Sequence, residues 1–174
     1  MRHIKTINEL FDVAREADVT DFRWRFRSDA LLSASMWIKG VGNNDYFFSI
    51  AIDDGAIRIS FSADESEDFA ELTGHGDVLK ILSVIPVAFD TFKAAAEAEG
   101  YSDVMVKEMM VEPSKSKEKE EYGSTPALDT ARGRIYAKVL EKLLRKYKYT
   151  FVDYQDALVY EFDEPIPLSA FNFN

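Results

Sequence analysis

Hydrophobic and charged residues alternate strictly in DFRWRFR, residues 21–27. Side chains at alternate positions of a strand point to opposite faces, so this stretch predicts a half-buried strand. One face carries Phe22, Trp24 and Phe26, and the other carries Arg23, Arg25 and Arg27.

Further strands are predicted at short intervals after this one. The turn-forming sequences GVGNND and DDG separate the apolar runs, and the turn at Asp53-Asp54-Gly55 predicts a hairpin. The four strands together predict an antiparallel meander. The three added runs cover residues 31–39, 46–52 and 56–63.

Helical periodicity follows the meander. Apolar residues recur at helical spacing from Asp77 to Gly100, and Gly100 predicts the end of the helix. Pro86 lies within this segment and predicts a kink, because proline lacks a backbone donor. On the face that these positions define, Phe89 and Phe92 are expected to pack against the sheet.

The remaining pattern completes an α+β domain. Shorter elements are predicted as a helix over residues 6–17, strands over 69–72 and 104–111, a helix over 130–148 and one or two strands over 149–162. Residues 113–129 are polar and lack periodicity, which predicts a mobile loop. We therefore predict one domain over residues 1–164, with a mixed, largely antiparallel sheet packed against two main helices.

Residues 165–174 predict an extended C-terminal tail beyond the last strand. Pro165 and Pro167 do not fit a central sheet ladder, because proline has no N–H to donate. Three apolar side chains follow and are candidate contacts for a protein partner, namely Leu168, Phe171 and Phe173. The alternative is that they fold back onto the domain itself, since burial of each would be favourable.

The segment Glu71-Leu72-Thr73-Gly74-His75-Gly76 precedes the long helix. The order of elements around it resembles the N-acyltransferase superfamily related to histone acetyltransferases (GNAT), whose pyrophosphate loop reads Arg/Gln-x-x-Gly-x-Gly/Ala. The resemblance implies a GNAT-like architecture, with Gly74, His75 and Gly76 at the pyrophosphate of acetyl-coenzyme A. Glu71 departs from the first position of the motif, and with Asp77 it places two negative charges beside a polyanion.

The helix sequence ARGRIYAKVLEKL contains Tyr136, which falls in the segment where this family often carries the tyrosine that protonates the leaving thiolate. The structural alternative is that Tyr136 packs in an amphipathic helix. This helix and TGHGDVLKILSVI also resemble small uncharacterised bacteriophage proteins with a degenerate GNAT-like layout, over residues 46–162. That resemblance implies a phage-encoded accessory protein.

Amino-acid composition limits the classes of function that this chain can have. The 174 residues include no cysteine and carry a net charge of −10, so thiolate chemistry is excluded and broad nucleic-acid binding is disfavoured. His3 and His75 lack metal-ligand spacing, so no metal site is expected. No apolar run reaches the length of a membrane span, and the cytoplasm of a bacterial host, or the virion, is the expected location.

Charged clusters have two interpretations each. The arginines of residues 21–27 are expected to pair with Asp45 or Asp53, with phosphate contact as the alternative. The basic residues of 132–148 are expected to form a solvated face, with an anion-binding or nucleic-acid face as the alternative. The acids of residues 64–68 and 118–121 form a solvated surface or mimic nucleic-acid phosphates.

The sequence thus favours a binding or structural accessory protein that contacts a phage or host protein, needs no cofactor and is able to self-associate. The alternatives are an acyl-coenzyme A-dependent N-acyltransferase, with acetyl-coenzyme A as cofactor and Tyr136 as general acid, and an acidic nucleic-acid mimic that inhibits a host protein.

Overall fold

A computed structural model describes residues 17–41, 44–62, 82–111, 131–154 and 157–173. Within these ranges seven strands form one sheet in the order β1-β2-β3-β4-β5-β7-β6, and two helices pack on it. The strands are β1 Asp18–Arg27, β2 Leu31–Val41, β3 Asn44–Asp53, β4 Ala56–Ser62, β5 Met105–Val111, β6 Tyr149–Tyr154 and β7 Ala157–Pro167. The helices are α1 Ile85–Ala98 and α2 Ala131–Leu143.

The first four strands form the predicted antiparallel meander. Between β3 and β4 the loop has two residues, because Asp53 pairs with Ala56. Asp54 and Gly55 both have positive φ, at 46° and 86°, which is the backbone of a type I′ hairpin turn. A Cβ atom at Gly55 would lie 2.8 Å from Cγ of Lys107 on β5, so glycine also permits this close contact.

The sheet is mixed. The pair β4–β5 is parallel, whereas the other pairs among the described strands are antiparallel. Strand β7 lies between β5 and β6, so β1 and β6 form the two edges of the described sheet. The predicted α+β class, with a mixed and largely antiparallel sheet and two main helices, is confirmed at this level.

Both helices pack on the same face of the sheet. Cross-strand partners share a face, and the register Trp24–Ala34–Ile50–Ile59 therefore places Trp24 on the face that also carries Phe61. The ring of Trp24 contacts Phe92 of α1, and the ring of Phe61 contacts Tyr136 of α2. One continuous core therefore lies between the sheet and both helices.

Helix α1 differs from its prediction at the amino end. A helical turn at Leu82 and Ser83 ends at Val84, and α1 starts at Ile85 with Pro86 in its first turn. The proline is tolerated there because the first-turn N–H groups have no partner within the helix. The expected kink is thus a break between two helical segments. Phe89 and Phe92 are fully buried, as predicted.

Several predicted elements lie outside the described residues. They are the helix over residues 6–17, the short strand over 69–72, the start of the long helix at Asp77 and the mobile loop over 113–129. The predicted strand over residues 149–162 is two strands, β6 and β7.

Tyr160 of β7 is a polar group inside the core. It is fully buried, and its hydroxyl has no hydrogen-bond partner among the described residues. Its ring lies against Tyr149 and Phe151 of β6, at centroid distances of 5.2 and 5.1 Å. Burial, and to a smaller extent the negative charge of Glu141, raise the pKa of Tyr160 far above the ordinary tyrosine value.

We expect Tyr160→Phe to raise the free energy of unfolding at pH 7 by about 1 kcal/mol, because it removes a buried hydroxyl that lacks a partner. A tyrosine with a raised folded-state pKa contributes stability that is complete below its unfolded pKa of about 10 and is lost as pH rises toward the folded pKa. The variant should therefore lose less stability than the parent between pH 7 and about pH 11. Urea unfolding at both pH values measures the difference.

Tyr154→Phe is the matched control, because the Tyr154 side chain is 57% exposed. It should follow the parent at both pH values. A Tyr160→Phe variant that is less stable at pH 7 and loses as much stability as the parent at high pH would contradict the interpretation.

Candidate functional site

The parallel pair β4–β5 defines one end of the sheet. Its pairing stops at Ile59 and Val111, whereas β4 continues beside β3 as far as Ser62. In proteins with parallel sheets, ligands bind beyond the carboxyl ends of the strands, at the point where the connections from two adjacent strands run in opposite directions. The segment that leaves β4 at this end contains Gly74, His75 and Gly76, which lie outside the described residues. Their predicted role at a pyrophosphate remains a prediction.

Tyr136 lies at this same end of the sheet. It belongs to α2, and its ring centroid is 6.0 Å from that of Phe61, near the carboxyl end of β4. Phe61 in turn lies 5.5 Å from Phe48 of β3. Tyr136 is fully buried in this aromatic group, deeper than the half-buried packing position considered from the sequence. Its ring fills space beside the end of β4, and no solvent reaches it.

The predicted tail is part of the domain. β7 continues through Pro165 to Pro167, and Pro167 pairs with Met105 of β5. The prolines are accommodated because the β5–β7 register is interrupted: Glu161 pairs with Glu108, and the next pair joins Ile166 to Val106. Pro165 falls within this irregular stretch, where no regular ladder bond is required. The predicted boundary between residues 164 and 165 is therefore wrong.

The three tail side chains proposed to contact a partner are buried in the chain's own core. Leu168, Phe171 and Phe173 have almost no exposed surface. The backbone N–H of Leu168 donates to the carbonyl of Val104, at 2.8 Å, which extends the contact with the segment before β5. The structure thus supports the self-packed alternative, and these side chains offer no surface to a partner in this conformation.

Aromatic stacking and hydrogen bonds hold the tail in place. Phe171 stacks on Tyr147 with nearly parallel rings at 5.1 Å and contacts Phe89 edge-on at 5.4 Å. Lys93 Nζ donates to the carbonyls of Ser169 and Phe171, at 2.8 and 3.0 Å. The Tyr147 hydroxyl donates to the carbonyl of Asn172 and accepts from its N–H. Burial raises the pKa of Tyr147, and the hydrogen bond to Asn172 partly offsets the rise.

Most basic residues of α2 and its exit whose side chains the structure describes are on the surface. Arg134, Lys138, Arg145 and Lys148 are exposed, consistent with the solvated face predicted from the sequence. Lys146 has an additional structural contact, because its ammonium group hydrogen-bonds the Asn172 side chain and lies over the Tyr147 ring.

The predicted partners of the β1 arginines are wrong for Arg27, which forms an ion pair with Glu99 at 2.9 Å. Asp45 and Asp53 lie on β3, and β2 separates that strand from β1. Alternation alone cannot predict this separation, because it assigns faces and not strand order. Arg25 lies over the ring of Phe47, at 5.5 Å from its centroid.

Strand β6 is a described edge of the sheet that carries exposed aromatic residues. Its sequence YTFVDY contains one charged residue, Asp153. Phe151 is 37% exposed and Tyr154 is 57% exposed. Edge strands have unpaired backbone N–H and C=O groups on their outer side, which can pair with an extended segment of another chain. The strand was predicted from the sequence, but its edge position was not.

Other kinds of site receive no support from the described ranges. Among those residues, no group of three or more histidine and carboxylate side chains is placed to hold a metal ion. The acidic runs of residues 64–68 and 118–121 lie outside them, and the mimic interpretation stays a prediction. Across the described helices, none combines the length and apolar character that a membrane crossing requires.

Comparisons with protein-family models, with curated proteins and with solved structures found no match to this chain. Its function must therefore be argued from its own residues.

We expect deletion of residues 166–174 to lower the melting temperature strongly, because it removes Leu168, Phe171 and Phe173 from the core. Phe171→Ala alone should cost about 3–5 kcal/mol of unfolding free energy. The deletion should leave the association state unchanged in sedimentation velocity. A truncated chain that keeps its melting temperature but changes its association would restore the partner-contact interpretation.

Proposed function

We propose that this chain is a phage-encoded, non-catalytic binding protein with a GNAT-like architecture, and that it acts by contacting another protein of the phage or its host. The order of elements supports the architecture: a four-stranded meander, helix α1, the parallel strand β5, helix α2 and a closing hairpin of β6 and β7. This is the succession that carries the family resemblance.

The edge strand β6 is the observation that carries the binding function. Phe151 and Tyr154 are separated by an odd number of positions, so their side chains project from opposite faces of the strand. An extended segment paired to the outer side of β6 would lie between two exposed aromatic groups. Backbone pairing would provide affinity, and the aromatic groups would provide selectivity. The partner is therefore a protein with an extended, unpaired segment.

The burial of Tyr136 argues against the enzymatic alternative. A general acid must approach the atom that it protonates to within hydrogen-bonding distance. Tyr136 is fully enclosed against Phe61, so an acyl-coenzyme A thiolate could reach it only after core side chains moved. The acyltransferase remains the second candidate, because the parallel pair β4–β5 ends beside Tyr136 in the manner of a ligand site.

Calorimetry with acetyl-coenzyme A separates these two functions. We expect no measurable binding, because Glu71 and Asp77 place negative charge beside the glycine segment and repel the pyrophosphate. The double variant Glu71→Gln, Asp77→Asn is the matched comparison, since it removes that repulsion. A low-micromolar dissociation constant for the unmodified chain would overturn the non-catalytic assignment.

The edge contact is tested with a photo-crosslinking phenylalanine analogue at position 154, in the phage-infected host. We expect one discrete protein adduct, and Phe151→Lys in the same chain should abolish it while changing the unfolding free energy by less than about 1.5 kcal/mol. The analogue at exposed Arg58 of β4 is the control position. Equal adducts from positions 154 and 58, or an adduct that survives Phe151→Lys, would refute the contact at β6.

A further inference from the structure

The sheet face opposite the two described helices carries a row of small polar residues and arginines. Cross-strand pairing places Arg23, Ser35, Ser49 and Ser60 side by side on four neighbouring strands. Ser60 lies between Ile59 and Phe61, which face the helices, so this row points the other way. It is separate from the β6 edge and from the carboxyl ends of β4 and β5.

A cleft of about 200 Å³ opens at the β1 end of this row. It is lined by two guanidinium groups, two aromatic rings, a hydroxyl and a carboxylate, from Arg23, Arg25, Trp37, Phe47, Ser35 and Asp21. Trp37 and Phe47 are cross-strand neighbours with edge-to-face rings, at a centroid distance of 5.5 Å. Rings held by such a pair form a preorganised aromatic wall.

A bulge in β1 shapes the cleft. Thr20 pairs with Trp37 and Arg23 pairs with Ser35, so β1 has one residue more than β2 between these pairs. Asp21 within the bulge has a φ of 53°, in the left-handed region that costs free energy for residues other than glycine. Bulges redirect side chains and often adjoin binding sites. This one places Asp21 and Arg23 at the same cleft.

Arg23 lines this cleft, and none of the ion pairs found among the described residues includes it. Arg27 lies four residues further along β1, beyond a register shift that turns it to the helix side, and it is paired with Glu99 at 2.9 Å. In a chain with a net charge of −10, an arginine in a concave site with no ion pair is a local attraction for an anion.

We propose that this cleft binds a free nucleoside monophosphate, with the phosphate on Arg23 and the base against Trp37. A guanidinium group binds phosphate oxygens in a bidentate geometry. An aromatic wall accepts a nucleobase by stacking. The carboxylate of Asp21 would repel inorganic phosphate, but it accepts hydrogen bonds from a ribose hydroxyl or a base amino group. A nucleotide is the class of ligand that has a partner for each of these groups.

The chain contains two tryptophans: Trp37 lines the cleft with its ring against Phe47, whereas the ring of Trp24 packs on Phe92 in the core on the other face of the sheet. The fluorescence of Trp37 therefore reports binding, over a constant contribution from Trp24. We expect adenosine monophosphate to change the emission with saturation, and Arg23→Gln to weaken its binding about tenfold or more. Arg27→Gln is the matched control, since it removes the same charge from the same strand outside the cleft, and it should leave the affinity unchanged.

Three further probes assign the ligand class. Adenosine and inorganic phosphate should each bind about tenfold more weakly than adenosine monophosphate, since each offers part of the recognised groups. A short oligodeoxyadenylate should bind no more tightly than the mononucleotide, because the acidic surface repels a polyanion. Unchanged emission with millimolar nucleotide, equal losses in both arginine variants, phosphate binding as strong as nucleotide binding, or tighter oligonucleotide binding that Arg27→Gln weakens would each overturn the proposal.

Discussion

The parallel pairing of β4 with β5 joins the two parts of this sheet. It links the meander of β1 to β4 with the group formed by β5, β7 and β6, and it does so over four residue pairs, from Ala56–Glu108 to Ile59–Val111. At the start of this pair, the backbone N–H groups of Lys107 and Glu108 donate to the carbonyl of Gly55, at 2.8 and 3.3 Å. The continuous core between the sheet and the helices depends on this short pairing, because it joins core residues of β4, such as Phe61, to core residues of β5, such as Met109.

The surfaces that we connect with function lie away from this central pair. The β6 edge is at one side of the sheet, and the arginine-aromatic cleft is near the other, on β1 to β3. The carboxyl ends of β4 and β5 lie between them, with Tyr136 enclosed beside them. A protein at the β6 edge and a small anion in the cleft could therefore bind at the same time, because the two sites share no residues.

Much of the fold was predictable because alternation and helical spacing are local signals. DFRWRFR is a strand, although a register shift after Trp24 leaves Phe26 53% exposed and not on the buried face that alternation predicts. Asp54-Gly55 is a hairpin turn, and Phe89 and Phe92 face the core. What local pattern could not provide was strand order, which places β2 between the β3 acids and β1 and pairs Arg27 with Glu99 instead. The prolines were expected to end the sheet before residue 165, yet β7 continues to Pro167. This was not predictable for a related reason, because the interruption in the β5–β7 register that accommodates Pro165 depends on a partner strand far away in sequence.

For the candidate site residues too, local sequence pattern predicted the secondary structure but not the tertiary contacts. The helical position of Tyr136 was predicted from the sequence, but its place near the end of β4 and its full burial depend on packing against Phe61, which in turn contacts Phe48. The cleft beside Arg23 was missed because it combines a bulge with residues from three strands, and the bulge has no marker such as glycine in the sequence.

The contacts that hold the tail against α1 have a consequence for how the chain folds. Lys93 and Phe171 are 78 positions apart, so their contact requires closure of a long loop, which carries an entropic cost before any contact is gained. Contacts of this kind form late and slow the folding of a domain. Until they form, Phe89 of α1 lacks the rings of Phe171 and Phe173 that cover it in the native state. A chain that has not yet closed this loop therefore exposes the aromatic surface of α1, and such exposed apolar surface promotes aggregation at high concentration.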